Sequence, residues 1–392
     1  MNKRKKILWL ASWYPSKLYP YNGDFIQRHA EAVSLYHDIH IIHVVKDEEG
    51  RVTKNVLKEE KTREGFTETL IYYHIPLKIP VVKKWLSSSR YGQLYAEAIE
   101  TYTRLNGCPD LVHVHTGMKA GIAAYRFAAS KNIPYVVTEH WTGFLDEAGQ
   151  RFGQLSVFTR RAWKKIAAQA NSISFVSQHL LNAFTKKIPC RHSIVIPNVV
   201  NRNIFYPGSD LQFLPPRFIH ISGLDERKQP ALMLEAFSMV KEKYPKAQLD
   251  IFGSTNPVIA ALVRELKLEE HITLNDEVPQ TLLAGQLRQS LALVLYSKCE
   301  TFGCVIIEAN ACGIPVIVSD IPVFHETVRE GINGYFAVPD LAPALARRME
   351  DMIANPHSFD SNAIVNMTLE RYSYEVVGQQ FSDWYEEVLK NA

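Results

Sequence analysis

The sequence predicts an α/β chain made of two doubly wound parallel sheets, and three observations lead there. Short β-rich runs alternate with longer segments of helical periodicity, the signature of βαβ units. That rhythm stops in a loop rich in Pro and Asn, IPNVVNRNIFYPGSDLQFLPP (196–216), and then restarts. The 392 residues, 46% of them hydrophobic, are also more than one domain ordinarily holds. In the first half the expected strands are Ile7 to Ala11, His40 to Val45, Leu111 to His115, Tyr135 to Thr138, Ile173 to Val176 and Ile194 to Ile196. The second set runs Phe218 to Ile221, Leu249 to Phe252, Ile272 to Leu274, Ala292 to Tyr296 and Val316 to Val318. Ligands of such sheets lie beyond the carboxyl ends of the strands, so the crevice between two such domains is the expected site.

Composition excludes several classes. A formal charge of +3 with 14 histidines is close to balance and argues against a nucleic-acid binder. The five cysteines are odd in number, contain no CxxC pair and read as reduced thiols of a cytosolic protein. The start, MNKRKKILWLASWYP, has the basic head of an export leader, but its apolar run is short and reads as a first strand. No stretch approaches the roughly 18 apolar residues of a membrane span. Neither GxGxxG nor GxxxxGK[ST] occurs, which removes the best evidence for a dinucleotide dehydrogenase or a P-loop NTPase.

Several strand-to-helix junctions hold residues a crevice would want. In Tyr21-Asn22-Gly23-Asp24, Gly23 either lets backbone N–H groups approach a phosphate or simply makes a turn capped by Asp24. In SGLDERKQP (222–230), Arg227 and Lys228 either meet a diphosphate or form a solvated charge pair. His113 and His115 in LVHVHTG share a strand face, and His140 follows in VVTEHWTGF. A metal pair lacks a third ligand at a convincing spacing, whereas His115 or His140 suits a polar contact to a sugar hydroxyl. Basic and apolar residues interleave at 75–86 (IPLKIPVVKKWL) and 158–169 (FTRRAWKKIAAQ), as in segments lying on an anionic membrane or in solvated helix faces.

The stretch CETFGCVIIEANACGIPVIVSD (299–320) places Glu300 and Glu308 eight positions apart, with Thr301 and Gly303 opening a helix between them. Eight helical residues span about 12 Å. A glycosidase pair flanks one bond at roughly 5 to 9.5 Å, so these carboxylates hold different parts of one long ligand. N–H groups near Phe302 and Gly303, at the positive helix end, would receive a diphosphate. Sugar, diphosphate and ribose in that order describe a nucleotide sugar. Glu308 lies in apolar VIIEANA, and a buried carboxylate needs partners.

At these residues the chain resembles glycosyltransferase family 4, retaining enzymes of the GT-B fold. The resemblance rests on E300-TFGCVII-E308-ANACGIPVIVSD, HETVREGINGYFAVPD, NGDFIQRHAEAVS, HVHTG, TEHWTG, IPNVVNRNIFYP and GLDERKQPALMLEAF, which follow family order over nearly the whole chain. It implies two Rossmann-like domains facing across a cleft: an acceptor-side domain, 1–205, onto which the C-terminal helix 374–392 crosses back, and a nucleotide-sugar domain, 206–373. It implies a hexosyl-type transferase with Glu300 on the donor sugar hydroxyls, Glu308 on the ribose, Lys228 on the diphosphate and His140 near the reaction centre. Gly23, Arg227, Phe302, Gly303 and Cys304 complete the donor set, and His115 joins His140 as an acceptor-side candidate. The pattern departs at Gly223, where many members carry Arg before the Leu, and Arg227 stands nearby. A nucleotide-diphosphate sugar is the expected co-substrate, with no cofactor or metal because no Asp-x-Asp triplet occurs. The acceptor would be a glycan or lipid-linked sugar in cell-surface polysaccharide or glycoconjugate synthesis, handled in the cytoplasm with a peripheral membrane contact. Rival readings are a nucleotide-sugar epimerase, a sugar phosphorylase, or a non-catalytic sugar-binding partner.

Overall fold

The computed structural model describes residues 4–77, 79–208, 215–253 and 257–392. They form two compact units, each on its own sheet. The first takes the described residues up to Phe144, Gln150–Val199 and Tyr374–Ala392, and the second takes Leu145–Gly149 and the described residues of Val200–Ser373.

The first unit runs β1 (Lys6–Ala11), α1 (Asp24–Ser34), β2 (Asp38–Lys46), β3 (Val56–Arg63), β4 (Phe66–Tyr73), α2 (Pro80–Asn106), β5 (Leu111–His115), α3 (Ala120–Lys131), β6 (Tyr135–Glu139), α4 (Val157–Gln169), β7 (Ser172–Phe175), α5 (Gln178–Thr185) and β8 (Ser193–Val195). The sheet order is β3-β4-β2-β1-β5-β6-β7-β8. Ile7 to Ala11 have no exposed surface, as expected of a strand covered on both faces. β2 pairs with one side of β1 and β5 with the other, which makes β1/β5 the switch point of this sheet.

The β3–β4 hairpin is not expected from the apolar runs. β3 reads VLKEEKTR and sits at the sheet edge, where charged side chains face water and discourage further pairing. Its legible signal is the two-residue Glu64-Gly65 turn, for which Gly65 adopts φ 87°.

The second unit runs β9 (Arg217–Ile221), α6 (Pro230–Lys243), β10 (Gln248–Phe252), α7 (Pro257–Glu265), β11 (Ile272–Asn275), α8 (Gln280–Leu287), β12 (Ala292–Leu295), α9 (Cys304–Ala311), β13 (Val316–Ser319), β14 (Gly334–Ala337), α10 (Ala342–Ala354) and α11 (Ser361–Tyr372). All strands are parallel in the order β11-β10-β9-β12-β13-β14, with the switch point at β9/β12.

The chain then returns to the first unit as α12 (Tyr374–Lys390). Ser373 is extended (φ −66°, ψ 158°) and separates α11 from α12. Val377, Phe381, Trp384, Tyr385 and Val388 form the buried stripe of α12 in the core with Ile26, Ala30 and Val33 of α1. Each such side chain contributes about 1.5–3 kcal/mol when fully buried. Gly378 makes this contact close, since a Cβ there would lie 2.4 Å from Ala32 O.

Candidate active site

In the second unit the loops after β9 and β12 are bonded to each other at the switch point, Lys298 N–H donating to Arg227 O at 2.7 Å. The first loop turns sharply: Leu224 and Gln229 hold φ 53° and 46°, flanking a 3₁₀ turn over Glu226–Lys228. Gly253, at the end of β10, backs this loop, and a Cβ there would fall 1.7 Å from Ser222 O. Only glycine fits. His220 braces the loop from below, its ring held between Val294 O (2.8 Å) and Ser222 Oγ (2.7 Å). Burial lowers its pKa to about 4, so the ring is neutral and acts as a strut.

Asp225 accepts from Arg227 N (2.9 Å), Nε (2.9 Å) and Nη2 (2.7 Å). Arg227 is thus tied to its own loop by a two-pronged ion pair. Lys228 Nζ donates to Glu300 Oε1, to which Ser297 Oγ also donates at 3.3 Å. The loop bearing Glu300 is pinned by Ser319, which accepts from Ser297 N (3.1 Å) and donates to Ser297 O (2.6 Å). The expected diphosphate ligand and the expected sugar ligand therefore neutralise each other in this state.

Gly303 opens α9 at φ 89° with no side-chain cap, so the helix start offers N–H groups and the positive end of the dipole. Its Cβ-less surface fits against Ile306 and Phe324, both 3.0 Å from where a Cβ would stand. Phe302 is buried edge-on against Tyr372, which fixes the residue before the helix, and Cys304 is its first helical residue. Glu308 sits in the second turn, buried.

In the first unit, Gly23 precedes α1 at φ 73°, where a Cβ would meet the Trp13 carbonyl carbon at 2.8 Å. The N-cap position is Gly23 itself, and Asp24, in the first turn, pairs with Arg28 at 3.3 Å. His29 of α1, His115 at the end of β5 and His140 after β6 bring ring nitrogens within 4.8 Å of one another. Burial pushes the His29 pKa down to about 3 and those of His115 and His140 well below the usual range, so all three rings are neutral. Glu139 accepts from His140 N (2.9 Å), Trp141 N (2.7 Å) and Gly117 N (3.3 Å). Burial nonetheless raises its pKa to about 7, and the three bonds fix the backbone that carries His140.

His115, the acceptor-side candidate named with His140, has no exposed surface, its ring centroid lying 4.0 Å from that of Trp9 and 4.1 Å from that of His113. His113 and His115 share a strand face but not their partners. His113 is spent on Tyr385 OH (2.5 Å) and Thr138 Oγ1 (2.7 Å), while His29 and His140 supply the neighbours that His115 appeared to lack. Among the described residues, His29, His115 and His140 are the group that could hold a metal ion. Sequence reasoning also missed Glu139 and Gly253. For Gly253 the signal was a glycine closing a strand, which marks close backbone approach.

Comparison with known proteins agrees with this geometry. A family model described as "Glycosyltransferase Family 4" matches residues 31–203, and one described as "Glycosyl transferases group 1" matches 213–367. A Bacillus subtilis protein named for teichuronic acid biosynthesis, the glycosyltransferase TuaC, is 27% identical over 81% of this chain and 81% of its own. The alpha-monoglucosyldiacylglycerol synthase of Acholeplasma laidlawii is 27% identical over 58% of this chain and 63% of its own. Anabaena HepE, solved in complex with UDP, superposes with a TM-score of 0.71 at 16% identity, covering 97% of this chain and all of that one. With a family match on each unit and a doubly wound sheet in each, the chain belongs to the family 4 type of glycosyltransferases.

Proposed function

We propose that this glycosyltransferase moves a hexosyl group from a nucleotide-diphosphate sugar, with retention, onto a glycan or lipid-linked acceptor in cell-surface polysaccharide or glycoconjugate synthesis. The observation that carries the reading is the Lys228–Glu300 pair at the β9/β12 switch point, beside the uncapped start of α9 and the buried Glu308.

The pair suggests how binding prepares the chemistry. A diphosphate at the helix start competes for Lys228, and Glu300, released, turns its oxygens to the sugar hydroxyls. Glu308 holds the ribose. Lys228, the amides of Phe302, Gly303 and Cys304, and the α9 dipole set positive potential where the leaving group gains charge, the term expected to dominate. Arg227 contributes at longer range through its fixed ion pair. The family resemblance gives Gly23 a part in diphosphate binding and His140 a contact with the donor sugar, aimed by Glu139. Transfer on this reading is independent of divalent metal, because fixed cations and amides neutralise the diphosphate, and front-face retention needs no protein nucleophile.

A peripheral membrane contact is part of the reading. Among the described residues no helix is long and apolar enough to cross a membrane. The two mixed basic and apolar segments do line one groove of the first unit, with Trp85 69% and Phe158 80% exposed (Lys78 lies outside the described residues). The test is incubation with UDP, GDP, ADP and dTDP sugars, with thermal shift to find the donor and NMR of the product to read its anomeric configuration. Stabilisation by no donor, or an inverted product, would refute the reading.

A further inference from the structure

The groove in the first unit has a volume of about 1820 Å³ and lies between α2, α3 and α4 at the β1/β5 switch point. Its lining includes the apolar Val44, Met118, Ile122, Phe127, Leu155 and Ile166. It is also cationic: Lys46, Lys83, Lys84, Arg104, Lys119, Arg126 and Lys131 stand against Glu48 and Glu100 alone among the lining residues, in a chain whose total formal charge is only +3. Within that set Glu48 is already taken, by Lys46 at 2.6 Å and Lys83 at 3.4 Å. Lys119 forms no ion pair among the described residues, and its ammonium stands 5.8 Å over the Tyr91 ring.

The backbone at Lys119 is strained. It holds φ 63°, ψ −72°, and Ala120 N–H donates across it to Met118 O at 2.8 Å, which is a γ-turn of the rare, unfavourable hand. Thr116, three residues earlier, is also at positive φ (60°). Such conformations cost about 1–3 kcal/mol each and persist where the surroundings enforce them. Glycine would relieve this one, so a lysine here trades stability for a cation at the end of β5. Of the lining residues, Trp163 Nε1 and Ser87 Oγ are buried and unbonded among the described residues.

Resting on the transferase reading, we propose that this groove binds the acceptor as a phosphate-bearing lipid, with Lys119 as the ligand of the phosphate and the apolar floor as the seat of the chain next to it. Charge complementarity selects the head and the exposed aromatics select the tail. A free sugar would leave both unused.

The test uses the full chain and phosphatidylcholine vesicles doped with hexadecyl phosphate or, in parallel, hexadecanol, with inorganic phosphate as a soluble competitor. Wild type is expected to bind the phosphate vesicles at least about tenfold more tightly than the alcohol vesicles, as loss of one charge-assisted contact implies. Inorganic phosphate at matched concentration is expected not to compete. Lys119→Gly is expected to abolish that preference while raising the melting temperature, because glycine accepts the turn without strain. Lys119→Arg is expected to keep it. Equal binding to both vesicle types, or an unchanged preference in Lys119→Gly, overturns the proposal, and full competition by inorganic phosphate overturns the lipid part. Donor-nucleotide thermal shifts on the same preparations report on the transferase reading separately. Loss of the donor response with the vesicle preference intact would sink that reading and leave the groove.

Discussion

The two switch points of this molecule solve opposite electrostatic problems. At β9/β12 the charges the ligand would meet are paired in advance, Asp225 with Arg227 and Glu300 with Lys228. At β1/β5 the buried titratable rings are neutral and the cation on the adjoining turn, Lys119, stands over the Tyr91 ring and in no ion pair among the described residues. A pre-paired site costs little to keep empty and rewards a ligand that carries both signs or splits the pair, as a nucleotide sugar does. A neutral pocket beside an open cation rewards a ligand that brings its own negative charge to an apolar seat. The folds are alike, so the difference lies in side chains carried on equivalent strand ends.

The largest expected effect breaks the matched side of that comparison. Lys228→Ala removes the fixed charge opposite the departing diphosphate and strands Glu300, and kcat should fall on the order of 10²–10³. Steady-state transfer with the donor found by thermal shift checks this, and a loss below about fivefold would place the diphosphate cation elsewhere. On the other unit, His140→Ala should lower kcat about 10²-fold while nucleoside diphosphate affinity holds. His115→Ala should instead act on stability, by about 2–4 kcal/mol, because that ring touches only protein. Denaturant midpoints and kinetics on the two variants separate the roles.

A smaller effect probes the scaffolds. Gly253→Ala should destabilise by roughly 2–4 kcal/mol, since a methyl group cannot stand against Ser222 O. The matching acid effect is shared by both sheets. His43, on β2, bonds Ala11 O at 2.7 Å much as His220 bonds Val294 O, and burial lowers the pKa of each to about 4. The unfolded chain takes up these protons near pH 6.5 and the folded chain does not. Stability is therefore full above pH 6.5 and falls as pH drops from there toward 4, by roughly 1–3 kcal/mol per histidine. His220→Asn should flatten the slope of melting temperature against pH over that window. The smallest expected effect is that of chelation: on this reading EDTA leaves the rate within about twofold, since positioned cations do the work of electrostatic stabilisation.

How far the sequence showed all this depended on whether a residue's neighbours are local. Glu300, Gly303 and Glu308 sit within one strand-turn-helix passage, so their chemistry could be read from spacing. Lys228 was legible as a cation at a strand end, but its partner lies 72 positions away and no spacing announces it. The histidine cluster fails for the same reason, because His29 stands on α1, far along the chain from His115 at the end of β5 and His140 after β6. β3 was hidden by its own edge chemistry, since alternation of Lys and Glu looks like a loop. Lys119 could not be found from sequence at all, because what marks it is a backbone angle.

The central claim is that the matched site divides one donor between two carboxylates, and one paired measurement tests it most directly. Calorimetry of nucleoside diphosphate binding, beside steady-state transfer, should be run on Glu300→Gln and Glu308→Gln. If Glu308 holds the ribose, its contact is the same in ground and transition states, so Glu308→Gln should weaken nucleotide binding by about tenfold or more. If Glu300 serves the sugar as positive charge develops on the ring, Glu300→Gln should lower kcat by about 10²-fold and leave nucleoside diphosphate affinity nearly intact. Equal loss of nucleotide affinity in the two variants would contradict the division and withdraw Glu300 from the sugar.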